Sequence, residues 1–322
     1  LTALISLSLG RYPVSLNDLA GFVGQQISGR PAPDTREFQI LKNILVDIRL
    51  PRIAAAVLIG AGLSVSGATF QSMFLNPLVS PGLLGVLAGA SFGAAVGMIL
   101  ADNWVSVQLG AFFFGLLAVF AAVGMSALNR GDRLLMLILG GIVSGALFTS
   151  LLSVVKYLAD PYEQLPAIVY WLMGGLSAVD RVTVLAASGP ISGGTIVLIL
   201  LAGYLNVLSM GDEEARSLGV NVPLLRLLFI FLATVISALT VVMGGIIGWV
   251  GLLIPHIARM IVGPDNRILL PATALIGAIY LLIADDIARL LFGVEIPIGI
   301  LTSLVGIPFF AFILRKAKKG WN

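Results

Sequence analysis

At 322 residues, 58% hydrophobic and only 11% charged, with a formal net charge of +3, the chain carries less than half the roughly 25% charge of an ordinary soluble protein. That excludes a water-soluble globular fold, whose surface needs more polar cover, and the small charge without a basic patch interleaved with aromatics leaves no footprint for nucleic acid. Cysteine is absent and His256 is the single histidine, which removes disulfides, thiolate nucleophiles and Cys/His metal sites by count.

Long apolar runs point to an all-α membrane protein, because a helix in lipid satisfies its own backbone hydrogen bonds. A β-barrel would show alternating segments of about ten residues, and none are visible. The stretch 1–9 is too short to cross and reads as the tail of a first helix whose start is missing. Further spans are expected near 52–74, 83–101, 105–128 and 134–155. After the polar residues Asp160 to Gln164, the apolar stretch from Pro166 to Leu176 is about half the length of a crossing helix and should dip in or lie at the surface. Longer runs resume near 182–209, 223–243, 247–263, 268–291 and 296–314, giving about ten transmembrane helices in all. The whole chain, 1–322, reads as one membrane domain. An even count puts both ends on one side, and Arg315, Lys316, Lys318 and Lys319 assign that side to the cytoplasm.

Between two of these spans, at about 211–222, stands Gly211-Asp212-Glu213-Glu214-Ala215-Arg216-Ser217-Leu218-Gly219-Val220. Acids in a first turn, then Arg216 and a terminating Gly219, suit a short helix outside the membrane. Gly85, Gly89, Gly93 and Gly97 recur every four residues, as do Gly141 and Gly145. That spacing makes a side-chain-free stripe against which a neighbouring backbone can pack.

Ionisable residues inside spans cost about 2.5 to 3.5 kcal/mol at the helix centre and mark the first place to seek chemistry. Here Lys156, Asp285, Asp286 and Arg289 fall towards span ends, where interfacial anchoring or local ion pairing competes with function. No acid stands alone at an expected midplane, and no convincing inverted repeat is visible. Both absences weigh against an ion-coupled secondary transporter or channel, the competing reading. No stretch matches the phosphate-cradling pattern G-x-x-x-x-G-K-[ST]; Gly24 to Gly29 has the glycine spacing but runs into Arg30 and Pro31. The chain is not itself expected to hydrolyse ATP.

Six stretches in order then resemble one family. They are Ile48-Arg49-Leu50-Pro51-Arg52; Asn76-Pro77-Leu78 with Pro81-Gly82-Leu83-Leu84-Gly85; Tyr170-Trp171-Leu172-Met173-Gly174-Gly175; the glutamate-rich stretch above; Gly248-Trp249-Val250-Gly251-Leu252-Leu253-Ile254-Pro255-His256-Ile257-Ala258-Arg259; and Ala284-Asp285-Asp286-Ile287-Ala288-Arg289 ahead of Glu295-Ile296-Pro297-Ile298-Gly299. Together they are similar to the membrane permease subunits of type II ABC importers, which carry iron-siderophore complexes, haem and vitamin B12.

The resemblance implies a bacterial inner-membrane importer: two copies of the permease, two separate P-loop ATPase subunits carrying ATP and Mg, and a periplasmic substrate-binding protein. No cofactor or metal is expected on this chain. Glu213, Glu214, Arg216, Ser217, Leu218 and Gly219 would form the helix that couples to the ATPase. Arg49, Arg52 and Arg289 would dock the binding protein, in competition with anchoring at headgroups. Asn76, Pro77 and Leu78 would form the cytoplasmic gate, where Pro77 and Pro81 independently forbid a continuous helix. The family's other gate element carries small hydroxyl residues, whereas this sequence reads Arg130-Gly131-Asp132-Arg133. Ser144, Thr149, Ser150 and Ser153 could line the pathway. His256 reads as structural. The resemblance points to molybdate or tungstate as cargo ahead of an iron-siderophore, haem or vitamin B12 chelate.

Overall fold

The structure, a computed structural model, describes residues 2–10, 12, 14–27, 35–101, 103–128, 133–291 and 293–317. Arg30, Pro31, the gate residues Arg130, Gly131 and Asp132, and the tail residues Lys318 and Lys319 lie outside that set. The described residues are helical: α1 (Thr2–Ser8), α2 (Leu16–Ile27), α3 (Arg36–Lys42), a π-helical segment (Asn43–Arg49), α4 (Leu50–Met73), α5 (Val86–Leu100), α6 (Trp104–Leu128), α7 (Arg133–Leu158), α8 (Gln164–Leu172), α9 (Arg181–Leu200), α10 (Ala202–Leu208), α11 (Asp212–Ser217), α12 (Val222–Gly244), α13 (Val250–Val262), α14 (Asn266–Leu290) and α15 (Ile298–Ala317).

Every expected apolar run contains a helix, and six stretches among the described residues are long and apolar enough to cross a bilayer by themselves: Arg36–Met73, Trp104–Leu128, Leu134–Leu158, Arg181–Leu200, Val222–Gly244 and Asn266–Leu290. Val86–Leu100, Val250–Val262 and Ile298–Phe312 are shorter. The chain is a multi-pass membrane protein. Local chemistry explains two of the short helices. α5 starts late because Pro81–Leu84 forms a 3-10 turn closed by Gly85 at φ +86°, a conformation that disfavours a side chain. α13 is separated from α12 by the non-helical linker Gly245–Gly248 and by Trp249 at φ +69°.

The long segment 10–52, which shows no crossing run in the sequence, contains α2, α3 and the π-helical segment, and the last two continue directly into α4. α8 is the short element expected after Gln164.

α4 is the hub. Ala55, Ala56, Ile59, Val65, Ala68 and Phe70 are fully buried, and α9, α12, α13 and α14 pack around it. Small residues allow the approach: a Cβ on Gly60 would strike the Gly277 carbonyl of α14, and one on Gly67 would strike Gly251 of α13. α5, α6 and α7 form a second group, where the glycine stripe on α5 does what its spacing predicts. Cβ atoms on Gly89 and Gly93 would collide with the Phe114 and Gly110 carbonyls of α6.

Candidate functional site

α11 is a single exposed turn and a half. Asp180, Asn221 and Asp265 cap α9, α12 and α14 with their side chains, whereas α11 begins at Gly211, φ +115°, without a side-chain cap. Its far end is closed more tightly. Gly219, at φ +79°, donates its N–H to the Arg216 carbonyl at 2.9 Å and Val220 donates to Ala215 at 3.1 Å, the paired bonds of a Schellman stop. Ala215 is fully buried with Val220 packed against the same core, as that motif requires. Arg226 of α12 grips the Asp212 carboxylate from both nitrogens, Nη1 to Oδ2 at 2.9 Å. The base of α11 is thereby fixed, while Glu213, Glu214, Arg216, Ser217, Leu218 and Gly219 remain exposed.

The C-terminal end of α4 lies near this turn. Ser209, which follows α10, donates to the Ser72 carbonyl at 3.3 Å. Beyond Met73 the helix closes through Leu75, whose φ of +51° is rare for a branched side chain, and the Asn76 N–H reaches the Gln71 carbonyl at 3.1 Å. Asn76, Pro77 and Leu78 form the exposed turn that follows, with Asn76 Oδ1 accepting from the Leu78 N–H at 2.9 Å.

The opposite end of α4 carries the arginines, and they are not free surface cations. Arg49 is 4% exposed and donates to the Leu7 and Tyr12 carbonyls. Arg52 donates from Nε to Asp285 Oδ2 at 2.9 Å, from Nη2 to Asp285 Oδ1 at 2.8 Å, and also reaches Glu295. Arg289, half-buried, pairs with Asp286 and lies 3.3 Å from Asp285, and Ser6 of α1 donates to Asp286 at 2.7 Å. The ion pairing that sequence spacing suggested for Asp285, Asp286 and Arg289 is present, but its main partner, Arg52, lies 233 positions away.

On α7 the four hydroxyls do not share a face. Thr149, Ser150 and Ser153 are exposed, each bonded to a carbonyl one turn back. Ser144 is buried and donates 2.7 Å to the Ala118 carbonyl of α6, so it serves helix packing instead. His256 sits edge-on to Phe309 and tilted to Phe310, 6.4 Å between ring centroids in both cases. Among the described residues no group of three or more His, Asp or Glu side chains is placed to hold a metal.

Two features escaped the sequence reading. One is a cleft of about 400 Å³ beside the α12–α13 break, lined by Met173, Ile246, Gly248, Trp249, Gly299 and Ser303. The other is a polar cluster of Ser72, Asn206, Asp265 and Asn266; its only signal was two asparagines next to apolar runs.

Against known proteins, a family model described as the FecCD transport family matches residues 1–316. The chain belongs to the FecCD transport family. Relatives within reach of this family include the molybdate import system permease protein MolB of Haemophilus influenzae, 39% identical over 99% of this chain and 94% of that one. The hemin transport system permease protein HmuU of Yersinia pestis is 38% identical over 91% and 89% of the two chains. A solved structure of an ABC transporter assigned to the metal-chelate type, in an inward-facing conformation, superposes with a TM-score of 0.86 at 38% identity, covering 98% of this chain and 95% of that one. As a FecCD member the chain is the permease subunit of a type II ABC importer, a transport component whose ATPase activity lies in separate subunits.

Proposed function

We propose that this permease forms half of a conduit across the bacterial inner membrane, paired with a second copy of itself and driven by two P-loop ATPase subunits that carry ATP and Mg. A periplasmic binding protein would deliver the cargo. The observation that carries this reading is α11: an exposed acidic turn, anchored at its base through Asp212 and Arg226 and stopped by Gly219, is suited to push and be pushed as a rigid body. Glu213, Glu214, Arg216, Ser217, Leu218 and Gly219 form its contact face.

Asn76, Pro77 and Leu78 act as the cytoplasmic gate, and Thr149, Ser150 and Ser153 face the pathway. Docking of the binding protein centres on Arg289, the most accessible of the three arginines, while Arg49 and Arg52 hold the helix ends around it. Rim charges of that kind set encounter and register more than affinity. Molybdate or tungstate is the cargo favoured by the relative from Haemophilus influenzae, with an iron-siderophore, haem or vitamin B12 chelate next.

Glu214→Ala or Arg216→Ala in the assembled importer tests the assignment. Both variants should insert and copurify with the ATPases yet move less substrate per ATP; unaltered stoichiometry would refute the role of α11. Binding of molybdate against a siderophore to the partner binding protein decides the cargo.

A further inference from the structure

The end of α10 is bonded to α14, and Ser209 just after it to α4, before the chain enters α11. Asn206 Oδ1 accepts from both the Asn266 N–H at 2.9 Å and the Asn266 side-chain amide at 2.8 Å, while its own amide donates to Asp265 Oδ1 at 2.6 Å. Asn206 thereby completes the cap of α14: it satisfies an N-terminal N–H that the helix itself cannot and holds the capping carboxylate. Asn266 is 3% exposed, and its Oδ1 accepts the Ser72 hydroxyl at 2.6 Å.

The path from α10 to α11 is not slack. Met210 and Gly211 donate to the Val207 and Leu208 carbonyls at 3.1 and 3.4 Å, and Ala215 donates back to Gly211 at 3.0 Å. At the other end, Ser72 sits in the last turn of α4, four positions before Asn76. Pulling α10 away from α14 would strand a helix-terminal N–H and the buried Asn266 amide, and the Asn266–Ser72 and Ser209–Ser72 bonds tie α4 to the same joint, so these three helix ends are held to move together.

We infer that Asn206, Asn266 and Ser72 are positioning residues that carry a displacement of α11 into the C-terminal end of α4, so that the turn Asn76–Leu78 follows the coupling helix. The inference rests on the reading of α11 given above.

The absence of cysteine from these 322 residues lets a single thiol placed in the permease serve as a reporter, with partner subunits of the assembled importer made cysteine-free. Leu78→Cys reports the gate turn and Met210→Cys the approach to α11. Labelling by a membrane-impermeant maleimide is compared between the nucleotide-free complex and the complex trapped with ATP and vanadate.

In the otherwise wild-type protein both sites should change reactivity with nucleotide. Adding Ser72→Ala or Asn206→Ala should leave the change at position 210 and shrink that at position 78 by about fivefold or more, the low end of typical site-to-site coupling. Ser72→Thr, which keeps the hydroxyl, should restore it. An undiminished response at 78 in Ser72→Ala would overturn the inference while leaving the role of α11 intact. No response at 210 in the parent would remove the reading of α11, and this inference with it. Should Asn206→Ala fail to assemble, the Ser72 pair decides alone.

Discussion

Arg52 holds Asp285 through two nitrogens at 2.8 to 3.0 Å, and neither side chain reaches solvent to any extent, at 9% and 2% exposed. A pair so enclosed gains from its geometry but loses heavily if halved, because the survivor, Arg52 left to Glu295 or Asp285 left to Arg289, is a poorly compensated charge in a poorly polarisable surrounding.

Asp285→Ala or Arg52→Ala should therefore lower stability by about 3 to 5 kcal/mol, read as a drop in the melting temperature of the detergent-solubilised protein. Arg52→Lys should recover little, since an ammonium cannot reproduce the two-pronged contact. A melting temperature unchanged by Asp285→Ala would show the pair to be dispensable.

Gly93→Ala should destabilise the α5–α6 contact by about 1 to 3 kcal/mol, as overpacking does, because the added carbon meets the Gly110 carbonyl. Gly124→Ala is the control: nothing lies within 4 Å of a Cβ there, so the variant should be tolerated. Fluorescence-detected gel filtration after a heat step distinguishes the two.

Gly219→Ala meets no neighbour within 4 Å, so its cost is purely conformational, about 1 to 2 kcal/mol for a side chain in the left-handed region. Gly219→Asn, which visits that region more readily, should keep more of the transport stoichiometry than Gly219→Ala. Equal coupling in both would show that the stop of α11 is not needed.

Asp265, outside the spans, is held below its ordinary value of 3.8, first by the Asn206 amide and then by the Arg267 N–H. A depressed carboxylate contributes stability that is present above the unfolded value and is lost as pH falls through the folded one. Asp265→Asn should thus melt below the wild type at neutral pH, and the gap should close as the pH falls below about 4. A gap that stays constant to pH 3 would contradict this.

The helical class, the position of each apolar run and the short element after Gln164 were legible because bilayer insertion imposes length and hydrophobicity on contiguous sequence. The glycine stripe on α5 was legible for the same reason: a four-residue period is local. What could not be read is set by contacts distant in sequence. Asp285 looked like one member of a cluster within α14, and only the fold brings Arg52 to it. Ser144 lies on the same apolar run as Thr149 and Ser153, yet nine residues put it about 180° round the helix from Ser153, where α6 claims it. The π-helical segment ahead of Leu50 gave no crossing run, since Asn43, Asp47 and Arg49 interrupt its apolar residues Ile44, Leu45, Val46 and Ile48.

That segment changes how the two ends of α4 relate. From Arg36 to Met73 the backbone stays helical for 38 residues, about 55 Å at 1.5 Å per residue, nearly twice the roughly 30 Å hydrocarbon slab. A helix of that length exceeds what a crossing needs and finishes a few residues from Asn76. Its α3 end is braced by α2, where Phe38 packs on Phe22 with ring centroids 5.5 Å apart, so a load on α2 is applied to the same continuous helix that ends beside Asn76.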